Sequence, residues 1–147
     1  MISLDGYRGL LSATSDVSSL MRLALVSHRN TRGEPLRFRD RPYLVELYKD
    51  LPKLEGADIC KGVQTGISEL LLVFALERAG WSNRICAYVL PTYSIRDRFV
   101  KRRVDPLLAT VPDYRTRTGE ARLGGNRNTT GNLKLKPFGT GAILFLG

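Results

Sequence analysis

The sequence predicts an α/β fold built on a parallel sheet, and three observations support this prediction. A short apolar segment at 57–60 leads into a glycine-containing turn and then into a long apolar helical stretch. Residues 85–90 are continuously apolar, which is typical of a strand buried on both faces of a parallel sheet. A second helical pattern follows this strand. The order strand, turn, helix, strand, helix is characteristic of α/β folds, with a right-handed crossover.

Length and composition indicate one basic domain that can bury a core. The chain has 147 residues, 43% of them hydrophobic, and a formal net charge of +9. Such a charge favours a polyanionic partner, either nucleic acid or an anionic membrane surface, although a basic protein with a merely solvated surface stays open. There is no apolar run of about 18 residues and no signal peptide pattern, so we predict a cytoplasmic protein without a membrane span.

The cysteines and the single histidine predict no metal site. Cys60 and Cys86 each lie in an apolar stretch without a CxxC partner, so both are expected to be buried free thiols. His28 is the only histidine, and no catalytic or metal-binding arrangement can be based on it.

The first half of the chain is predicted to contain an N-terminal arm and two helices. Residues 1–37 form an arm, partly disordered or helical, in which the apolar run 20–26 is a short helix on a mobile leader. Residues 38–147 form the domain. Apolar residues at three- and four-residue spacing predict a helix from Tyr43 to Leu51, ended by Pro52. Ser68 and Glu69 open a second helix, which must be covered on several sides and stops at Gly80.

The second half is predicted to contain a basic helix, a basic loop and a hairpin. The helix covers residues 94–104, with Ile95 and Phe99 pointing inward, and Asp105-Pro106 caps a short helix after it. Residues 113–131 read as a basic loop. Strands at 132–136 and 142–146 follow, joined by a turn at 139–141.

The turn at 61–68 has the composition of a phosphate-binding loop. Such a loop needs glycines to turn backbone N–H groups inward, a helix N-terminus, a lysine and a hydroxyl. Gly66 and Ser68 fit the end of the pattern G-x-x-x-x-G-K-[ST], but Ile67 stands where the lysine belongs. Lys61, at the start of the turn, can swing back towards the phosphates. The alternative is a tight turn whose glycines only allow close packing.

Four stretches together resemble a known family. They are the loop 61–68, the strand end Tyr88-Val-Leu-Pro-Thr92, the helix and its exit at 98–106 and 110–112, and the tail segments 131–136 and 142–147. In this order they resemble the large terminase subunit of tailed phages, a DNA-packaging ATPase, in the branch whose Walker A loop carries its lysine first. The resemblance covers roughly the last two thirds of the chain.

The resemblance implies a P-loop NTPase-like sheet of the RecA/ASCE type with flanking helices. It also implies an ATPase that uses ATP and Mg²⁺ to translocate double-stranded DNA into a procapsid, with the terminase small subunit, the portal and further copies of itself as partners. Lys61 is then the catalytic, phosphate-contacting lysine, Ser68 the magnesium contact and Tyr43 the adenine contact, although Leu44 replaces a glutamine often found beside that aromatic residue. The implied nucleotide-binding residues of the loop are Lys61, Gly62, Val63, Gln64, Thr65, Gly66, Ile67 and Ser68.

In the family, a strand ending in Asp-Glu and then a nuclease domain follow this hairpin. The fold is therefore expected to be incomplete at the C-terminus, and the fragment to be deficient in hydrolysis. Two other functions stay open: a non-enzymatic basic DNA-binding module, and an inactive truncated prophage gene product. A helicase-type ATPase is disfavoured by Ile67, because its loop normally keeps lysine beside Ser or Thr.

Basic residues after the second strand are predicted to contact the DNA backbone without reading sequence. A solvated helix face is the alternative. The loop has few aromatic residues, so stacking on single-stranded bases is not predicted. The candidates are Arg96, Arg98, Lys101, Arg102, Arg103, Arg115 and Arg117, with Arg122 and Arg127 in the loop beyond.

Overall fold

The computed structural model describes residues 19–30, 32–39, 41–118 and 134–147. Three expectations from the sequence concern residues outside these ranges. They are the leader before residue 19, most of the basic loop with Arg122 and Arg127, and the first residues of the strand at 132–136.

The described part of the chain contains six α-helices, two short helical turns and three strands. The helices are α1 (Ser19–Val26), α2 (Tyr43–Asp50), α3 (Ile67–Gly80), α4 (Tyr93–Phe99), α5 (Asp105–Thr110) and α6 (Pro112–Arg117). A 3-10 turn (Leu51–Lys53) extends α2, and a π-helical turn (Val100–Val104) joins α4 to α5. The strands are β1 (Ile85–Val89), β2 (Leu135–Phe138) and β3 (Gly141–Leu146).

The sheet is mixed rather than purely parallel. Its order is β1-β3-β2, with β3 parallel to β1 and antiparallel to β2. The predicted hairpin is confirmed, with Gly139 at a φ of 63° in its turn. Its first strand extends to Phe138, two residues further than predicted. The α/β class is therefore confirmed, whereas the sheet contains an antiparallel pair.

The prediction of a strand at 57–60 is wrong. This segment forms no ladder with a described strand, and Ala57, Asp58 and Cys60 are exposed. Only Ile59 packs against the core. One apolar contact beside a charged residue offers too little buried area to hold an extended segment against a sheet.

The prediction that β1 is buried on both faces is also wrong. Ile85 is 80% exposed and Val89 70%, whereas Cys86 and Tyr88 are half-buried. Tyr88 lies beside Phe145 of β3 and stacks on Phe99, so the helical layer covers this face. An apolar strand covered on one side has the same composition as one covered on both, and the sequence therefore could not distinguish them.

Helix α3 is the centre of the core, as its apolar surface predicted. Its side chains Leu70, Leu72, Val73 and Leu76 are fully buried. The helix contacts α1 on one side and β1 and β3 on the other. The helix of the predicted N-terminal arm therefore belongs to the packed core.

Gly80 is the last residue of α3, at the position where the sequence predicted the helix stop. A Cβ at Gly80 would lie 2.5 Å from Cε1 of the buried Phe138. The glycine is therefore also required because the β2–β3 hairpin packs directly on the end of α3.

The basic helix exists, but its predicted orientation is partly wrong. Phe99 points inward as predicted, whereas Ile95 is 44% exposed and Arg96 only 6%. Burial of Arg96 is tolerated because its guanidinium donates to Asp97 Oδ1 at 2.6 and 2.8 Å and lies over the Tyr93 ring.

Two further expectations about this region need correction. Asp105 caps no helix, because the chain stays helical from α4 into α5, and its carboxylate instead pairs with the buried Lys136 Nζ at 2.7 Å. The predicted basic loop begins as a helix, since Pro112 at N1 favours α6.

Candidate functional site

The turn between residues 61 and 66 enters α3 through left-handed backbone. Gly66, the N-cap residue of α3, has a φ of 86°, and Gln64 has a φ of 60°. A glycine adopts this conformation without strain, but a glutamine does so at a cost of about 1 kcal/mol or more. The Thr65 hydroxyl donates to the Gly62 carbonyl at 3.3 Å and closes the turn. Strain of this kind is found most often at functional loops.

The backbone amides of the turn are available to a ligand. Within the described part of the chain, no hydrogen bond is donated by the amides of residues 62–68. The Gly66 carbonyl, by contrast, accepts from the amides of Glu69 and Leu70 at 3.1 and 3.0 Å. Unpaired N–H groups at the start of a 14-residue helix carry partial positive charge and favour an anion.

Tyr43, the implied adenine contact, lies beside this turn. Its hydroxyl donates to the Thr65 carbonyl at 2.8 Å, and its ring is exposed. The alternative interpretation, that the glycines of the turn allow close packing, also has support at Gly66. A Cβ there would lie 3.1 Å from Leu44 Cδ1 and 3.5 Å from Arg41 Nη1. The close packing at Gly66 is compatible with either interpretation of the turn.

Lys61 and Ser68 are at the two ends of the turn. Lys61 is exposed and forms no ion pair with a described residue. The Ser68 side chain is half-buried and its hydroxyl makes no hydrogen bond to the described residues, whereas its carbonyl accepts from the Tyr88 hydroxyl at 3.3 Å. Burial, with a further contribution from Glu69, raises the pKa of Tyr88 to about 12, so this hydroxyl stays a donor.

The turn lies at the carboxyl edge of the two parallel strands. The Tyr88–Ser68 contact places the start of α3 near the end of β1, and the Gly80–Phe138 contact places its end near the hairpin. Helix α3 therefore runs antiparallel to β1 and β3. In open α/β sheets, ligands bind at this edge.

A buried polar network, missed by the sequence analysis, surrounds Glu69. His28 Nε2 lies 2.8 Å from Glu69 Oε1 and Arg103 Nη1 lies 2.9 Å from Glu69 Oε2. His28 Nδ1 lies 3.1 Å from the Tyr114 hydroxyl. These four residues are far apart in the sequence, and no spacing pattern predicts that they meet.

The network keeps Glu69 ionised. Burial raises the pKa of the Glu69 carboxyl, but the hydrogen bond and charge of His28 and the Arg103 guanidinium outweigh it, and the pKa falls below its usual value. Because an ionised carboxylate only accepts hydrogen bonds, His28 Nε2 carries a proton and donates. Burial is the largest cause of a raised pKa at Tyr114, and the nearby Tyr48 and Glu69 raise this pKa further.

The predicted DNA-contacting residues divide into two groups. Arg96 pairs with Asp97, Arg103 with Glu69, and Arg117 lies 4.0 Å above the Trp81 ring while donating to the Gly80 carbonyl. The other four are exposed and form no ion pair with a described residue; they are Arg98, Lys101, Arg102 and Arg115.

The cysteines differ from their prediction. Cys60 is exposed and Cys86 half-buried, because the segment 57–60 is not a strand and β1 is covered on one face. Both are free thiols, as predicted. Burial raises the pKa of the Cys86 thiol, which favours its unreactive form.

The described residues form neither a metal-binding cluster nor a helix suited to span a membrane. No three His, Cys, Asp or Glu side chains in them come together as a metal site. No described helix is long and apolar enough to cross a membrane.

Comparison with known proteins identifies the family. Neither a search of curated proteins nor a search of solved structures found a significant match. The family model of the phage terminase large subunit gpA, ATPase domain, matches residues 31–147. This match contains α2, the turn 61–68, α3 and the whole sheet. The chain therefore belongs to the ATPase domain family of the phage terminase large subunit gpA.

Proposed function

We propose that the turn 61–68 binds the phosphates of ATP in a P-loop-like, RecA-type arrangement. Membership of the gpA family supports a DNA-packaging motor ATPase in general terms. The observation that carries the specific proposal is the set of amides of residues 62–68, which have no acceptor among the described residues and lie at the N-terminus of α3. Phosphate oxygens are the acceptors that such a cradle accommodates best.

Lys61 supplies the positive charge that Ile67 cannot. A lysine at the entrance of the turn neutralises the terminal phosphates, and phosphoryl transfer depends mainly on such charge neutralisation and positioning. The Ser68 hydroxyl, without a hydrogen-bond partner among the described residues, is the group that would hold magnesium. Magnesium supplies further charge neutralisation on the phosphate oxygens.

Tyr43 is proposed as the adenine contact. Its ring is exposed beside the turn and its hydroxyl is held by the Thr65 carbonyl. An aromatic ring fixed in this way offers a face on which a base stacks.

The exposed basic residues are proposed to bind the backbone of duplex DNA, which ATP hydrolysis translocates into a procapsid. Arg98, Lys101 and Arg102 form an exposed group at the end of α4 and in the π-helical turn, without ion-pair partners among the described residues. Phosphate contacts of this kind do not depend on base sequence. The small subunit, the portal, further copies of the chain and a cytoplasmic location complete the proposal.

Calorimetric titration of ATP tests the loop. We expect Lys61→Ala to weaken ATP binding by about tenfold or more, since one charge-assisted contact contributes about 1.5–3 kcal/mol. Lys53→Ala is the control, because Lys53 is also an exposed lysine and, among the described residues, pairs only with Asp50 at 3.3 Å. Equal losses in the two variants contradict a role for Lys61. Absence of ATP binding with retained duplex binding would instead favour a non-enzymatic DNA-binding module.

A further inference from the structure

We propose that Arg103 is a positioning residue that couples ATP binding at the turn 61–68 to DNA binding by Arg98, Lys101 and Arg102, through its ion pair with Glu69. The inference rests on the proposed function of both sites. It concerns the connection between them, which neither site defines alone.

The first step is the position of Glu69 at the phosphate loop. Its amide donates to the Gly66 carbonyl at 3.1 Å, so its backbone takes part in the turn that enters α3. Its side chain is largely buried, and both carboxylate oxygens are occupied, one by His28 and the other by Arg103. A carboxylate held on both oxygens has a defined direction, unlike a typical exposed ion pair.

The second step is an independent contact between the same two regions. The Tyr88 hydroxyl donates to the carbonyl of Ser68, the residue before Glu69, at 3.3 Å. The Tyr88 ring stacks on Phe99 at a centroid distance of 5.2 Å. Two consecutive residues at the start of α3 are thus connected to the segment that carries the basic side chains.

The third step is the geometry of that segment. Arg103 lies in the π-helical turn Val100–Val104, between two buried valines. A π-helical turn is wider than an α-helical one, is rare, and is frequently found at functional sites. Conversion of this turn to α-helix would rotate Lys101 and Arg102 relative to Phe99. The proposed coupling uses this conversion as its two-state element, which energetic coupling between sites requires.

These contacts explain how ATP binding would affect DNA binding. A triphosphate bound to the amides of residues 62–68 displaces the first turn of α3 and so moves the Glu69 carboxylate relative to Arg103. The change in this ion pair biases the π-helical turn and with it the basic side chains. By thermodynamic linkage, bound DNA then changes the affinity for ATP by the same factor.

The experiment measures the dissociation constant of a fluorescent duplex of random sequence by anisotropy, with and without saturating ATP and magnesium. In the wild-type chain we expect the two values to differ by about fivefold or more, with the reciprocal factor for ATP. In Arg103→Gln and Glu69→Gln the ratio is expected to fall to within about twofold of one. Arg103→Lys, which keeps the charge, is expected to restore part of the ratio.

Arg115→Gln is the matched control. It removes the same charge from a position outside the π-helical turn, and Arg115 is exposed and forms no ion pair with a described residue, so the ratio should persist. A purely structural role of Arg103 would lower both affinities and leave their ratio unchanged.

Two outcomes overturn the proposal in distinguishable ways. If ATP and duplex both bind but the wild-type ratio is one, or survives in Arg103→Gln, the coupling is wrong and the proposed function stands. If the wild-type chain binds no ATP, the proposed function fails and the coupling fails with it. Arg103 is partly exposed, so circular dichroism is expected to show a folded Arg103→Gln even if Glu69→Gln unfolds.

Discussion

Glu69 is the residue whose environment has the clearest consequence for stability. Its pKa in the folded chain lies below the ordinary value of 4.5. A carboxyl with a lowered folded pKa contributes stability above its unfolded pKa, and that stability is lost as the pH falls through the folded pKa. The free energy of unfolding should therefore decrease on acidification below about pH 5, over and above the effect of other groups.

Glu69→Gln tests this expectation. We expect it to lower the free energy of unfolding at pH 7 by about 1–3 kcal/mol, because Arg103 and His28 lose a charged acceptor. The difference from the wild type should shrink as the pH falls towards about 3. Urea unfolding followed by circular dichroism at several pH values measures it. Glu46→Gln, which removes an exposed carboxylate of α2, is the control. A constant difference at all pH values would contradict the assigned ionisation.

Single residues could be proposed from the sequence where the signal was local. The turn 61–68 was proposed as a phosphate loop because its glycines, lysine and serine are contiguous, and this role and that of Tyr43 beside it stay predictions. The roles of Arg103 and His28 were not predictable, because their partner Glu69 is distant in sequence from both. Arg96 was misplaced because its burial depends on contacts with Asp97 and the Tyr93 ring, which the helical pattern does not show.

At the scale of elements, the packing of the hairpin on α3 depends on glycine. A Cβ at Gly141 would collide with the backbone carbonyl of Arg84 and lie 2.7 Å from that of Ala79. Both obstacles are backbone atoms of the α3–β1 connection and its helix, so neither can move aside cheaply. The close approach joins the parallel pair β1–β3 to the end of α3.

Gly141→Ala should therefore destabilise the fold by about 1–3 kcal/mol or more, the usual cost of overpacking. Thermal or urea unfolding measures this loss. Gly56→Ala is the matched control, because a Cβ at Gly56 meets nothing within 4 Å. Its stability is expected to stay within about 0.5 kcal/mol of the wild type. Similar stability of the two variants would show that the backbone approach is not required.

Elements were predicted well where periodicity or turn residues defined them. Helix α2, helix α3 and the hairpin appear close to their predicted bounds. The errors concern which segments pair as strands and which strand faces are buried. The segment 57–60 has no strand partner among the described residues, and β1 is exposed on one face. Apolar composition shows that a segment prefers burial, but it does not show which neighbour provides it.

At the scale of the whole molecule, α3 connects both proposed sites. Its first turn carries the amides and Glu69, and its contacts with Tyr88 and Arg103 lead to the basic segment. The helix also holds α1 and the sheet together. The proposed coupling therefore runs through a packed helix rather than through a flexible linker.

The net charge of +9 gives the last prediction, because only part of it is available to DNA. Arg98, Lys101 and Arg102 are exposed and unpaired among the described residues, whereas Arg96 is paired with Asp97. Duplex binding should weaken steeply with salt, and replacing these three residues by Gln should reduce the slope of log K against log salt by about 2.7. Fluorescence anisotropy over a range of salt concentrations measures the slope.

A second triple variant separates local contacts from overall charge. It replaces three exposed basic residues elsewhere on the chain by Gln, namely Arg37, Arg39 and Lys49. Both variants lose the same net charge, so a general electrostatic attraction would reduce their slopes equally. Direct phosphate contacts release counterions only where they form. We therefore expect the salt-dependence slope of the control variant to stay within about one of the wild-type value. Equal slopes in the two variants would contradict binding by the basic segment. The absence of any salt dependence would contradict it as well.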